Sequence, residues 1–100
     1  MPLFTVIESS DGGEGIGYSQ YDVATPLAAL REWVKEMTDP EVQAKGFLSK
    51  ENLLRVLHRN PPRSASPRFP GVWSASLGYR QKYLYLIAVR TQRAPRADRP

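Results

Sequence analysis

Val72 to Thr91 limits what this chain can fold into more than any other stretch. It holds two runs of branched and aromatic residues, Val72 to Leu77 and Tyr83 to Thr91, joined by the short polar segment Gly78 to Lys82. That pattern predicts a β-hairpin, and its apolar content places it at the centre of a sheet. In the second run Tyr83, Tyr85, Ile87 and Val89 alternate with Leu84, Leu86 and Ala88. Both faces of that strand are therefore apolar, and both are expected to be covered.

The 100 residues suit one domain with one modest core. The expectation is a single α+β domain over residues 1–91, followed by a basic tail, 92–100, too rich in Pro, Ala and Arg to fold. No apolar run approaches the roughly 20 residues that span a bilayer, and Met1 to Phe4 lacks the basic start of a signal peptide. The expected setting is the cytoplasm, with no membrane partner. With no cysteine, disulfides, thiolate catalysis and cysteine metal sites are all excluded.

Charge is unevenly divided along the chain. Residues 1–58 carry nine acids against five bases, a net −4, while residues 59–100 carry nine bases against Asp98 alone, a net +8. A basic second half favours an anionic partner, either nucleic acid or an acidic protein surface.

The first half supplies the other elements. Leu3, Phe4, Val6 and Ile7 mark a first strand over Pro2 to Glu8, apolar on both sides like the central one. A glycine-rich turn from Ser9 to Gly15 leads to a half-polar strand, Ile16 to Val23, suited to a sheet edge. Thr25 and Pro26 form a strong helix start. Leu27, Leu30, Trp33, Val34 and Met37 then recur at helical spacing, which predicts an amphipathic helix from Pro26 to about Met37 lying on the sheet. Asp39-Pro40 opens a short helical turn that stops by Gly46. Ser49 caps a further helix, Lys50 to His58, with Leu53, Leu54 and Leu57 inward. Asn60-Pro61-Pro62 ends it, and residues 60–71 read as a long irregular connection.

Taken together, Tyr18, Ser19 and Gln20 on a strand, Ala29, Leu30 and Trp33 on a helix, Gly71, Val72 and Trp73, and the closing Ile87, Val89 and Thr91 resemble a group of small bacterial proteins of unassigned activity. The resemblance covers roughly residues 3–91. It implies an antiparallel sheet with helices on one face and, for some proteins of this build, an immunity or antitoxin role. The basic loop Arg59 to Arg68 and the Arg-rich tail are additions to that pattern.

No constellation for catalysis emerges. His58 is the sole histidine, so it cannot build a multi-histidine metal site, and its place in a last helical turn suits it to the helix dipole. No serine sits in a nucleophile elbow. Gly12, Gly13, Gly15 and Gly17 lack the Lys-Ser/Thr of a phosphate loop, and Asp11 and Glu14 would repel phosphate, so a hairpin tip is the better reading. Asp11, Glu14 and Asp22 read as solvated. Pro67 to Pro70 has the spacing of a polyproline ligand but reads as loop. Tyr79, Tyr83 and Tyr85 beside Arg80 and Lys82 resemble a stacking platform; cover by the Trp33 helix would make them core, and core is the preferred reading.

The expected fold is thus α+β: an antiparallel sheet of about four strands, ββααββ along the chain, with helices packed on one face. The expected function is a non-enzymatic protein-binding module of immunity or antitoxin type, needing no cofactor or metal and acting by surface occlusion. Its expected contacts are Tyr18, Gln20, Arg63, Arg68, Arg80 and Lys82, against a partner with an acidic surface. A small basic nucleic-acid-binding protein is the second reading. A second apolar sheet face also leaves room for a homodimer.

Overall fold

The computed structural model describes residues 2–10, 17–68, 70–79 and 82–91. In chain order the elements are β1 (Leu3–Ser10), β2 (Gly17–Asp22), α1 (Pro26–Glu36), α2 (Asp39–Ala44), α3 (Lys50–Arg59), β3 (Arg63–Ser64), β4 (Val72–Tyr79) and β5 (Lys82–Thr91). They form an α+β fold around one antiparallel sheet ordered β2-β1-β5-β4-β3. The first strand inserts between its own neighbour β2 and the C-terminal β5, which becomes the middle of the sheet.

Local chemistry sets the helix ends. Thr25 caps α1 by accepting from the Ala28 amide at 3.1 Å, with Pro26 in the first turn. Thr38 and Glu41 form a reciprocal capping box at the start of α2. That helix stops at Gly46, whose φ of 98° only glycine adopts cheaply. The Gly46 and Phe47 amides return to the carbonyls of Gln43 and Val42, at 3.0 and 3.3 Å, which satisfies the last turn and drops Phe47 into the core. Ser49 caps α3 by accepting from the Asn52 amide.

Phe4, Val6 and Glu8 of β1 and Leu84, Leu86 and Ala88 of β5 face the helices. α1 lies over β1, β5 and β2, while α3 lies over β4. Between the layers sits one core, with Val6, Leu30, Val34, Leu53, Leu57, Leu77, Leu84 and Leu86 fully buried. Each large aliphatic contributes about 1.5–3 kcal/mol of gross hydrophobic gain. Ala29 is also fully buried, its small side chain letting α1 approach the strands. No helix among the described residues is long and apolar enough to cross a membrane.

Three features differ from the sequence reading. First, the sheet has five strands and the helices number three, an order ββαααβββ in place of ββααββ. The added strand, β3, lies inside the 60–71 connection and is only two residues long. It forms because β4 offers a free edge: the Ala65 amide reaches the Val72 carbonyl at 2.9 Å, and Gly71, with φ of 92°, turns the chain back. Neither Arg63 nor Ser64 carries the apolar alternation that announces a strand. Second, Thr38 takes the capping role expected of Asp39, whose carboxylate instead accepts from the Lys50 amide at 2.9 Å and ties α2 to α3. Third, the helices pack on one face, as expected, but among the described residues nothing provides the cover expected for the other. Tyr83 and Tyr85, expected in the core, are 61% and 42% exposed.

Candidate interaction surface

The uncovered face is built from the odd positions of β1 and β5 and the residues paired with them. One row crosses all five strands, in the order Tyr18, Ile7, Ile87, Ser74, Arg63. Beside it runs Gln20, Thr5, Val89, Val72, and on its other side Ser9, Tyr85, Ser76. The tall side chains stand on β2, β1 and β5, and the short ones, Ser74, Ser76 and Gly78, follow β4. Ile7, Ile87 and Val89 are partly exposed, and Tyr18 is 74% exposed. A row of aromatic and branched residues in water is unusual enough to mark a contact surface.

Three polar side chains of this face, Gln20, Thr5 and Thr91, are joined in one chain. Gln20 Nε2 donates to Thr5 Oγ1 at 3.1 Å, Thr5 and Thr91 share a hydroxyl contact of 2.6 Å, and the Thr91 hydroxyl donates to the Val89 carbonyl at 3.1 Å. Because Thr91 has one proton and places it on Val89, Thr5 is the donor to Thr91. The result is a directed chain, Gln20 to Thr5 to Thr91 to backbone, that lies in the surface and still holds when water is removed. Such prior pairing lowers the cost of covering the face.

Of the six residues expected to make contacts, the fold brings three together. Tyr18 and Arg63 occupy opposite ends of the same row, and Gln20 sits in the adjacent one. Arg68 is exposed in the connection between β3 and β4, where its amide donates to Ser66 Oγ at 3.2 Å. Arg80 lies outside the described residues, as do the side chain of Lys82, the glycine-rich turn over 11–16 and the tail 92–100. Ile7, Ile87, Thr5 and Thr91 complete the surface. Ile7 and Ile87 read as core in the sequence because β1 and β5 are apolar on both sides and do not themselves say which face the helices take.

Two other concavities lie on the helix side. A polar cleft of about 220 Å³ is lined by Glu8, Ser19, Trp33, Glu36, Met37, Glu41 and Lys45. Within it Lys45 pairs with Glu8 and stands 5.7 Å from the Trp33 ring centroid. At its edge the Tyr21 hydroxyl donates to Glu36 Oε2 at 2.8 Å. Burial, followed by that hydrogen bond, pushes the Tyr21 pKa up to about 12. These contacts join β1 and β2 to the helices, so the cleft reads as a structural seam. The second, about 270 Å³, lies between α1 and α3, with Leu27, Leu54 and Leu57 below Arg31 and His58. His58 is exposed in the last turn of α3. Among the described residues, no group of three or more metal-ligating side chains converges.

Compared with known proteins, the chain matches no family model, no curated protein and no solved structure.

Proposed function

We propose that this chain is a non-enzymatic protein-binding module of the immunity or antitoxin kind, which uses its open sheet face to occlude a surface of a partner protein. One observation carries the reading: the aromatic and aliphatic row Tyr18, Ile7, Ile87 stands uncovered, with its polar neighbours already paired. Interface centres are enriched in tyrosine and depleted in charge, which is the make-up of this face. Tyr18 and Tyr85 would serve as anchors. Arg63 borders it on one side and favours a partner with an acidic rim, contributing orientation and association rate more than affinity.

The test is affinity capture from native lysate, with and without nuclease, using wild-type protein and Ile87→Asp in parallel. A stoichiometric protein retained by the wild type, insensitive to nuclease and lost with Ile87→Asp, is the expected result. Material that disappears with nuclease or moderate salt would overturn the reading.

A second reading follows from the exposed rings of Tyr18, Tyr83 and Tyr85: a platform on which bases of a single strand stack. It ranks lower because, among the described residues, Arg63 is the one base that the register places on that face. Phosphate binding needs several such charges, and its mark would be affinity falling steeply with salt.

A further inference from the structure

We propose that the resting occupant of the open face is a second copy of this chain, in a two-fold dimer whose axis runs along β5 through Ile87 and seats Tyr18 of each copy against Arg63 of the other. The proposal shares its surface with the function proposed above but does not depend on it.

The register supplies the geometry. Rotation about an axis along β5 returns β5 onto β5, and places β1 over the other copy's β4 and β2 over its β3. In the central row this sets Ile87 on Ile87, Ile7 over the hollow at Ser74, and Tyr18 over Arg63. Within that row Ile7 meets a short side chain, while Ile87, like Val89 and Tyr85 in the rows beside it, meets its own copy along the axis. Each tyrosine ring receives a guanidinium, a favourable cation–π pairing that occurs twice by symmetry. The alternative axis, across the strands, would stack Arg63 on Arg63 and Tyr18 on Tyr18, and like charges brought face to face disfavour it.

Size and polarity agree with this. Five strands about 4.8 Å apart and six residues at about 3.3 Å each outline a patch near 20 Å on a side, so two copies cover roughly 800 Å², the size of a weak, transient contact and not of a permanent one. The Gln20, Thr5, Thr91 chain leaves its hydroxyls paired on closure. A marginal interface of this kind dissociates readily, so a partner protein can compete for the same face.

Sedimentation equilibrium of the full chain over a range of concentrations tests the dimer. Wild type is expected to pass from monomer to dimer as concentration rises. Ile87→Asp, which opposes two carboxylates on the axis, is expected to remain monomeric with an unchanged circular dichroism spectrum. Tyr18→Ala and Arg63→Ala are each expected to weaken dimerisation about tenfold, with the double variant little weaker than either, because the two residues serve one contact. Arg63 is exposed at the sheet edge, so its variant reports on the interface even if Ile87→Asp misfolds. A monomer persisting at about 1 mM overturns the proposal; so does a dimer unaffected by Ile87→Asp or by Arg63→Ala. A monomer that still captures a partner protein would overturn the dimer alone, and a dimer that captures nothing would overturn the partner reading alone.

Discussion

The two faces of β5 are both apolar and meet opposite fates. On β5, Leu84, Leu86 and Ala88 are fully buried, while their immediate neighbours Tyr85 and Ile87 stand on a face that no element among the described residues covers. Composition separates the two faces on β4, where Trp73, Ala75 and Leu77 alternate with Ser74, Ser76 and Gly78, but not on β5. What separates them there is the placing of α1 and α3, whose apolar stripes suffice for one layer, and the polar chemistry each face carries. The covered face ends in charged contacts to helices, Lys45 with Glu8 and Tyr21 with Glu36. The open face ends in a hydroxyl and amide chain that refers only to itself.

The sharpest way to break this comparison is to place the same charge one residue apart. Leu86→Asp buries a carboxylate without a partner and is expected to cost about 4 kcal/mol or more, enough to unfold a small domain. Ile87→Asp is expected to change stability by only about 1 kcal/mol, read by urea denaturation at low protein concentration so that self-association does not contribute. Equal losses would mean that the open face is closed within the chain. A milder contrast truncates instead of charging: Leu84→Ala is expected to cost about 2–5 kcal/mol through the cavity it leaves, against about 1 kcal/mol or less for Tyr83→Ala on the other face.

Removing a cap probes what holds the helices over the covered face. Ser49→Ala is expected to cost about 1 kcal/mol, since the Asn52 amide loses its acceptor at the start of α3. The seam between sheet and helices has a pH signature. Tyr21 has its pKa raised from the ordinary value of 10.0 to about 12, so unfolded chains release this proton before folded ones do. Its contribution is fully present below pH 10 and is lost as pH rises through 10 to about 12. Tyr21→Phe is expected to flatten the alkaline limb of a stability-against-pH curve; an unchanged limb would remove Tyr21 from the account. The smallest effect is expected on the outer surface of α3, where Arg55 meets Glu51 at 3.1 Å in water. Arg55→Ala should shift stability by no more than about 0.5 kcal/mol.

Much of this architecture was legible along the chain. Thr25-Pro26 and Ser49 announced helix starts because a hydroxyl cap followed by a proline or a good helix former satisfies free amides locally. The stripe Leu30, Trp33, Val34, Met37 named the covering face of α1, and the two β runs placed β5 at the middle of the sheet. Of the contact residues, Tyr18 and Gln20 are expected on an edge strand and Arg63 in a basic loop, and the register brings all three onto one face. Ile7 and Ile87 were missed as surface residues because an apolar side chain in a strand reads as core whichever way it points. The two-residue β3 was illegible for the reverse reason: its pairing is offered by the β4 edge and owes nothing to Arg63 or Ser64 themselves.

Local chemistry, acting over three or four residues, determined where helices begin and end, which strands alternate, and that the class is α+β. The tertiary structure decided what no local pattern carries: the order of the strands, the insertion of β1 beside β5, and which of two apolar faces received the helices. The physical reason is that burial is a property of pairs of surfaces. A strand encodes two faces, and only the packing of distant elements determines which one is removed from water.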